Sequence, residues 1–414
     1  MTRSERDAVR ADQARAAVEG LPAVGEMRRT HLAIPFAPTT ATSVEPLLHG
    51  RRYFPRMLQD IEEARDHVHL LLYGFKAGTV GSRFRDLLLA KVRQGVTVRL
   101  EVDAMGSEIL AGSKDLYREL RAGGVQTTAN HGLPLHRLSR NVVGGTGARR
   151  ADLLHFDHRK MAVIDGRIGY VGGSGIEDHY TDERFYDVMC RVTGPVTSQL
   201  QVVFLASWRY HGGADPDAAA LDRCFPAESL HAGDVAPSST RATVLWNVPG
   251  TGHLPISDII VRSIADATDR IDIVNPYVSN RAILDGLHAA ARRGVRVRIV
   301  APGKPTPPFP AAAFRHHYRR LLDAGVQILL HPEMAHAKVL RIDDRVLIGG
   351  CNLDDLSLFR NEELDVLFEG TAIAETVQRD VFEELVGMSR PAVPSTRLRS
   401  RVFDATMDRL SRLL

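Results

Sequence analysis

Two hydrophobic periods alternate along most of the chain. Stretches with apolar residues every three or four positions, the period of a helix, are followed by short apolar runs typical of buried strands. Glycines end several of the helical stretches, as they commonly do in proteins. In the first half, this pattern predicts helices around 57–64, 82–94 and 116–122, and strands over His69–Phe75 and Val96–Val102.

The second half of the chain repeats this order. Its pattern predicts helices around 260–267 and 283–293, and strands over Ile271–Tyr277 and Val295–Pro302. Strands that alternate with helices of this length favour βαβ units. A repeat of this size indicates a duplicated domain rather than a solenoid. We therefore expect an α/β protein of two related lobes, each with a mostly parallel mixed sheet flanked by helices.

One octapeptide occurs in both halves. It reads His-Arg-Lys-Met-Ala-Val-Ile-Asp over His158–Asp165 and His-Ala-Lys-Val-Leu-Arg-Ile-Asp over His336–Asp343. Both copies lie in an apolar alternation typical of a strand, so the His and the Lys project from the same face. In each copy a second strand returns after the Asp and runs into a Gly-Gly pair. The shared context makes the pair of motifs a strong functional signal.

The paired side chains, His158 with Lys160 and His336 with Lys338, suit phosphoryl chemistry. A neutral imidazole is able to attack phosphorus and form a covalent phosphohistidine, while lysine ammonium groups stabilise the phosphate oxygens. The second His is then available to protonate the departing alkoxide and to deprotonate the incoming alcohol or water. A metal site formed by the His and Asp residues at 155–158 is disfavoured, because no second carboxylate cluster accompanies it.

Composition narrows the classes of function. The 414 residues carry a net charge of only +3, and aromatic residues make up 6%, which argues against a nucleic-acid partner. No apolar run approaches the roughly 18–20 residues that span a bilayer, and residues 1–19 lack the apolar core of a signal peptide. Three widely spaced cysteines favour reduced thiols. We expect a cytoplasmic protein, with peripheral contact at the inner face of the cell membrane as an open alternative.

Four segments are expected along the chain. They are a polar helical N-terminal segment (1–44), a first lobe (45–235), a second lobe (240–392) and a basic amphipathic C-terminal helix (393–414). That C-terminal pattern is typical of a helix that lies on an anionic membrane or packs on its own protein. A long insertion, His131–Leu154, precedes the first motif. It is interpreted either as a surface loop or as a loop that covers the substrate.

The two octapeptides match the HxKxxxxD motif of the phospholipase D superfamily, and the surrounding sequence is similar to the bacterial cardiolipin synthase branch. The resemblance covers roughly residues 45–414. It implies two tandem α/β/α lobes related by a pseudo-twofold axis around one site, so that a monomer suffices for activity. It also implies a reaction without metal or cofactor, through phosphatidyl-histidine. Beyond the motifs, the resemblance rests on Asp60–Arg65, Asp103–Ser107, Asn275–Tyr277, Asn352–Ser357 and Asn361–Glu363.

The resemblance assigns roles to the paired motifs. His158 is expected to be the nucleophile and His336 the general acid, with the reverse assignment left open. Lys160 and Lys338 are expected to bind the phosphate.

Four carboxylates complete the expected catalytic set. The family places an acidic residue about 28 positions after each His to orient the imidazole, and Asp187 and Glu363 occupy these places. The motif residues Asp165 and Asp343 belong to the same set, but we expect them to hold their hairpins rather than contact substrate.

The segment after each motif departs from the family pattern. The family usually shows Gly-Ser-x-Asn or Gly-Gly-x-Asn there, with polar groups that help to bind phosphate. The first copy reads Gly-Gly-Ser-Gly over 172–175, and the second reads Gly-Gly-Cys-Asn over 349–352. The expected substrate-binding residues are therefore Gly173, Ser174, Gly350 and Asn352, and Gly175 stands where the family has Asn.

The leading hypothesis is a cardiolipin synthase-like phosphatidyltransferase. Its expected partners are a phosphatidylglycerol-like phospholipid and an alcohol acceptor. A phospholipase D-type hydrolase or headgroup-exchange enzyme is the first alternative, and a superfamily nuclease is the second. A lipid-binding protein without activity is the third alternative.

Overall fold

The computed structural model describes residues 12–130, 142, 156–226, 240–395 and 397–411. The strands of the first half are β1 (Thr39–Ala41), β2 (Ser43–Leu48), β3 (His67–Leu72), β4 (Thr97–Asp103), β5 (Gln126–Asn130), β6 (Lys160–Ile164), β7 (Ile168–Gly172), β8 (Phe185–Tyr186) and β9 (Val188–Thr193). Its helices are α1 (12–19), α2 (Gly50–Glu63), α3 (Thr79–Arg93), α4 (Lys114–Ala122), α5 (Val196–Tyr210) and α6 (Ala218–Cys224), with 3₁₀ turns at Arg29–Leu32 and Asp178–Thr181.

The second half contains the same kinds of element. Its strands are β10 (Thr240–Asn247), β11 (Arg270–Val274), β12 (Arg296–Pro302), β13 (Gln327–His331), β14 (Met334–Ala335), β15 (Val339–Ile342), β16 (Arg345–Gly349), β17 (Glu363–Glu369) and β18 (Arg390–Pro391). Its helices are α7 (Pro255–Asp266), α8 (Arg281–Arg292), α9 (Pro308–His316), α10 (Tyr318–Asp323), α11 (Asp355–Phe359), α12 (Thr371–Val377), α13 (Glu383–Met388) and α14 (Leu398–Ser411), with a π-helical turn at Gln378–Phe382.

The two large sheets have the same strand order. The first runs β2-β9-β7-β6-β3-β4-β5, and the second contains the equivalent order β10-β17-β16-β15-β11-β12-β13. In the second sheet β1 is added at one edge and β18 at the other. The prediction of two duplicated α/β lobes with mixed sheets is therefore confirmed. The segment expected to be a polar helical N-terminus also contributes a strand, because β1 pairs with β10.

The prediction that each mixed sheet is mostly parallel is wrong. Among the described strands of the two large sheets, only β3–β4–β5 and β11–β12–β13 are parallel, and the remaining neighbours are antiparallel. One cause is the hairpin that follows each motif, which makes β6–β7 and β15–β16 antiparallel. Asp165 and Gly166 take positive φ values of 51° and 64°, and tight turns of this kind join antiparallel strands.

The interface between the lobes is a shared apolar core. It gathers side chains from the facing strands of both sheets and from α5, including Trp208 of the first lobe and Trp246 of the second. Each lobe has a further core between its sheet and its outer helices. The pseudo-twofold arrangement therefore places the two sheets against a common layer, with the beginnings of β6 and β15 near the join.

No helix within the described residues is long and apolar enough to cross a bilayer. Residues 131–141 and 143–155, which contain most of the predicted insertion, lie outside the described part of the chain. The predicted junction between the lobes, Pro226–Ser239, also lies outside it, except for Pro226.

Candidate active site

Short strand pairings cross between the lobes at the start of each motif. β8 pairs in parallel with β14, and the counterpart of this contact is a parallel bridge between Asp157 and Glu362. The amide of His158 donates to the carbonyl of Glu362 at 3.0 Å, and that of His336 donates to the carbonyl of Tyr186 at 2.6 Å. Each motif therefore begins beside the acidic segment of the opposite lobe.

The two histidines are paired with carboxylates in a crossed arrangement. Nδ1 of His158 lies 2.8 Å from Oε1 of Glu363, and Nδ1 of His336 lies 2.6 Å from Oδ2 of Asp187. A carboxylate at Nδ1 fixes the proton on that nitrogen, which leaves the Nε2 lone pair for chemistry. The expectation that Asp187 and Glu363 occupy the orienting places fits this geometry, with each carboxylate serving the imidazole of the other lobe.

The two motif lysines are buried beside the histidines. Lys160 Nζ donates to the carbonyl of His158 and lies 5.0 Å from the centre of the Tyr73 ring. Lys338 Nζ lies 2.7 Å from Nδ1 and 2.9 Å from Nε2 of His336, and it donates to the carbonyl of that residue at 2.6 Å. Two buried ammonium groups in one site favour an anionic ligand such as a phosphodiester.

Burial sets the protonation of this site. It lowers the pKa of Lys338 to about 7, with Asp187 opposing the shift and the charge of Lys160 adding to it. Burial likewise lowers the pKa of Lys160 to about 8, against the opposing charges of Glu363 and Asp187. Desolvation of this kind disfavours the charged form of any cation.

Burial also favours the neutral forms of both histidines and of Glu363. Burial lowers the pKa of His336 to about 4, with Lys338 adding to the effect and Asp187 opposing it. Burial and then the charge of Lys160 hold the pKa of His158 well below its usual value. Burial raises the pKa of Glu363 well above its usual value, with Lys160 opposing the shift. Both imidazoles are therefore neutral near pH 7 before an anion binds.

Asp165 and Asp343 lie at the opposite ends of the motif strands. The carboxylate of Asp165 accepts hydrogen bonds from the amides of residues 65–67 at 2.8–2.9 Å. Asp343 accepts in the same way from the amides of residues 268–270 at 2.9 Å. Each Asp lies seven positions after its motif His along largely extended chain, a span of roughly 20 Å. The structure thus does not bring these two carboxylates to the imidazoles.

The glycines expected to bind substrate lie directly against the orienting carboxylates. A Cβ atom on Gly173 would lie 2.4 Å from Oδ1 of Asp187, and one on Gly350 would lie 3.2 Å from Oε2 of Glu363. The lack of a side chain is what allows the carboxylates to reach across the join. Asn352 is buried beside them, and its Oδ1 has no hydrogen-bond partner among the described residues.

The first lobe differs at the place equivalent to Asn352. A Cβ atom on Gly175 would lie 2.5 Å from the carbonyl oxygen of Gly74 and 3.0 Å from Oε1 of Glu177. The other carboxylate oxygen of Glu177 forms an ion pair with Lys76 at 3.0 Å. Ser174 accepts from the hydroxyl of Tyr53 at 2.8 Å. The backbone of Gly74 and the carboxylate of Glu177 thus occupy the space at Gly175, which explains why the chain has no side chain there.

Sequence reasoning missed a buried ionic network behind the first motif. Arg159 donates to both carboxylate oxygens of Asp157, at 2.7 Å from Nε and 2.6 Å from Nη2, and to Oγ of Ser207 at 2.6 Å. Its Nη2 also lies 2.9 Å from Oε2 of Glu362 in the other lobe. Asp157 is therefore bound to arginine rather than presented as a metal ligand beside His158. The signal available in the sequence was an arginine between the motif His and Lys, within a stretch predicted to be a strand.

Tyr73 was also missed. Its ring packs edge-on against His158 with the ring centres 4.9 Å apart, and burial raises the pKa of its hydroxyl. It follows β3, in the run 69–75 that sequence analysis treated only as a strand. The wall of the site beside His158 is therefore aromatic.

Comparison with known proteins identifies a family for the chain. The family model described as "Cardiolipin synthase, PLD-like domain" matches residues 57–208 and 260–386, one segment in each lobe. The chain belongs to this family. The match assigns it to the cardiolipin synthase-like branch of the phospholipase D superfamily of enzymes, as the motifs predicted.

Individual relatives cover most of the chain. It is 30% identical to cardiolipin synthase 2 of Bacillus cereus over 385 residues, which are 90% of this chain and 71% of the relative. It is 28% identical to the major cardiolipin synthase ClsA of Bacillus subtilis, covering 91% of this chain and 75% of the relative. Among solved structures, the phosphatidylserine synthase of Haemophilus influenzae Rd KW20 shares the fold with a TM-score of 0.66 at 13% identity, covering 93% of this chain and 98% of the other.

Proposed function

We propose that the chain transfers the phosphatidyl group of a phospholipid to an alcohol through a covalent phosphohistidine. The observation that supports this most strongly is the crossed pairing of His158 with Glu363 and of His336 with Asp187, with two buried lysines beside them. The arrangement supplies a nucleophile, an acid–base group and cationic contacts for one phosphodiester. The cardiolipin synthase relatives support a phospholipid as the donor.

His158 is assigned as the nucleophile. Its Nδ1 proton is held by Glu363, and no hydrogen bond from the described residues reaches its Nε2. The ring of His336 is instead in contact with the ammonium of Lys338. In the first step, Nε2 of His158 forms a bond to phosphorus as the bond from phosphorus to the headgroup oxygen breaks. Lys160 and Lys338 stabilise the negative charge on the phosphoryl oxygens.

His336 is assigned to proton transfer. An anionic phosphodiester in the site offsets the lysine charges and raises the pKa of His336, so that its Nε2 becomes protonated. That proton passes to the departing headgroup oxygen, which leaves as an alcohol. In the second step, the acceptor hydroxyl gives its proton to Nε2 of His336 and attacks phosphorus, and the phosphorus–nitrogen bond to His158 breaks. Water in place of the alcohol gives the hydrolase alternative.

The test is mass spectrometry of lipid products after incubation of the protein with phosphatidylglycerol vesicles. Cardiolipin and glycerol formed by the wild type and not by His158→Ala support the proposal. Phosphatidic acid alone would show that water is the acceptor and replace transfer by hydrolysis. No product from any phospholipid would overturn the function. Each reaction is run with and without chelator, and we expect the same rate in both. Loss of activity in chelator that added zinc restores would contradict the proposed chemistry.

A second measurement tests the roles of the two histidines. His158→Ala is expected to abolish the covalent phosphoenzyme, whereas His336→Ala accumulates it without turnover. Rapid quench followed by peptide mass spectrometry measures both. Phosphate found on residue 336 in the wild type would reverse the assignment.

A further inference from the structure

The C-terminal helix α14 packs with its acidic residues inward and its apolar residues outward. Asp404 and Asp408 are 5% and 2% exposed. Oδ1 of Asp404 accepts from Nη2 of Arg315 at 2.9 Å, and Oδ1 of Asp408 lies 2.7 Å from Nε2 of His317. The helix is thus held to α9 by an ion pair and to the residue after α9 by a hydrogen bond.

The outward face of α14 combines large apolar side chains with arginines. Leu398, Val402 and Phe403 are 72%, 58% and 51% exposed, and Leu410 is also exposed. Four exposed arginines alternate with them: Arg397, Arg399, Arg401 and Arg409. None of the four forms an ion pair with another described residue. A surface helix ordinarily turns its apolar side to the core. The reversed orientation leaves an apolar and basic face that requires another explanation.

A basic cleft lies beside this face, between α9 and α14. It has a volume of about 310 Å³, and its lining includes Arg315, His316, Arg319 and Arg401. Leu398 and Val402 also line it. Cationic groups next to apolar side chains match the boundary between lipid headgroups and acyl chains.

Helix α9 is connected to the active-site end of the second lobe. It follows the carboxyl end of β12, and the hydroxyl of Tyr277, after β11, donates to the carbonyl of Thr306 in the intervening loop. The amide of Leu353, next to Asn352, donates in turn to the carbonyl of Tyr277 at 3.0 Å. The α9–α14 pair is therefore built onto the same end of the sheet as the site.

We propose that α14 and the cleft beside it dock the protein on an anionic lipid surface. In this arrangement the arginines contact lipid phosphates, and Leu398, Val402, Phe403 and Leu410 enter the headgroup boundary. The inference deepens the proposed function, because docking by α14 brings the active site to a bilayer that contains its donor lipid.

Charge favours a membrane over a second copy of the chain. A twofold dimer through α14 would bring the same patch of each copy together, and would oppose arginine to arginine without acidic residues on that face. An anionic bilayer instead attracts each basic residue near its surface. The occupant that the charges fit is thus an anionic lipid surface.

The test is flotation with vesicles of phosphatidylcholine alone or with phosphatidylglycerol added. The wild type is expected to float only with phosphatidylglycerol, and less so as salt rises. Val402→Ser with Phe403→Ser is expected to weaken binding at least about tenfold. Arg399→Gln with Arg401→Gln is expected to weaken it about fivefold for each arginine. The matched control is Val261→Ser with Arg262→Gln on α7, which changes two exposed residues of the same types in the same way and is expected to leave binding unchanged.

Several outcomes would overturn docking by α14. One is that the wild type and both α14 variants bind vesicles equally well. Another is that the α7 control loses as much vesicle binding as the α14 variants. A wild-type dimer that becomes monomeric in Val402→Ser/Phe403→Ser would identify a second copy as the occupant. Activity on a dispersed short-chain phosphodiester separates this inference from the proposed function: α14 variants retain that rate within about twofold while losing vesicle turnover. If the wild type also fails on the dispersed substrate, the proposed function fails, and flotation still decides the docking.

Discussion

The imidazoles of His158 and His336 depend on carboxylates from opposite lobes. Glu363 lies 205 residues after His158 in the chain, and Asp187 lies 149 residues before His336. Each carboxylate is buried and lies beside a glycine that has no side chain to displace it. At the scale of single residues, the site is therefore a joint product of the two halves, and neither half holds a complete His–carboxylate pair.

The crossed pairs predict which step each carboxylate affects. Glu363→Gln removes the carboxyl group that orients His158, so formation of the phosphoenzyme should slow by about 10²–10⁴-fold. Asp187→Asn acts on His336 and should slow turnover of the phosphoenzyme by a similar factor. Rapid-quench kinetics measure both steps, and Glu369→Gln on the same strand β17 is the control. The crossed arrangement would be contradicted if Glu363→Gln slowed only turnover of the phosphoenzyme and Asp187→Asn slowed only its formation.

The lysines predict the pH dependence. The pKa values of Lys338 and Lys160, lowered to about 7 and about 8 by burial, mean that rising pH removes the ammonium charges that attract phosphate. kcat/KM, which reports the free enzyme, should therefore fall as pH rises through about 7 to 8. The pKa of His158, held well below its usual value, keeps it neutral on the acid side of this range.

Lys338→Arg tests the origin of this alkaline decrease. Arginine stays protonated, so in this variant kcat/KM should begin to decrease only near the pKa of Lys160, about 8. This holds even if the variant has a lower maximum rate than the wild type. The measurement is kcat/KM on a soluble phosphodiester between about pH 5 and about pH 9. An unchanged profile in Lys338→Arg would assign the decrease to another group.

At the scale of elements, the hairpin after each motif is held by a carboxylate in the turn. Asp165 and Asp343 both take a φ of 51°, in the left-handed region, and both accept from three consecutive backbone amides of the neighbouring segment. The turn fixes the register of the motif strand, and the register decides which face carries His and Lys. These carboxylates thus act on the site through the fold.

Asp165→Ala is expected to reduce stability without removing catalysis. The loss of the acceptor for three amides should lower the free energy of unfolding by about 1–3 kcal/mol, with kcat within a few-fold of the wild type. Asp165→Asn keeps one oxygen and tolerates positive φ, so it should cost less. Urea unfolding and the transfer assay measure the two effects. Loss of kcat at unchanged stability would place Asp165 in the chemistry.

At the scale of the whole molecule, the lobes share a core that includes both tryptophans of the sequence, Trp208 and Trp246. The strand pairings of β8 with β14 and of Asp157 with Glu362 also cross the join. Separation of the lobes would expose this apolar surface and break the His–carboxylate pairs together. The two α/β lobes are thus expected to behave as one cooperative unit.

This expectation is tested by unfolding in urea. Tryptophan fluorescence reports the shared core, and far-ultraviolet circular dichroism reports the secondary structure of both lobes. A single transition with coincident midpoints is expected, since agreement between probes is the mark of a two-state reaction. Two separated transitions, with tryptophan signal lost first, would show that the lobes unfold independently.

Local pattern determined much of this protein. The helical and strand periods, the glycines after helices, the strand that returns after each motif and the two HxKxxxxD motifs were sufficient to predict duplicated α/β lobes and the four His and Lys residues of the site. These features are encoded within a few residues, because periodicity and turn preference are properties of short segments. The family comparison confirms the branch that the motifs indicated.

The tertiary structure alone decided which distant groups meet. The spacing of Asp187 and Glu363 after each His did not reveal that each serves the opposite lobe, because pairing across the join depends on β8 with β14 and on the bridge of Asp157 to Glu362. The amphipathic pattern of α14 did not reveal that its acidic side faces inward, because Arg315 and His317 lie far away in sequence. The periodicity of a short segment fixes which face of a helix or strand a residue occupies. The distant residue that it contacts is fixed by the packing of the whole chain.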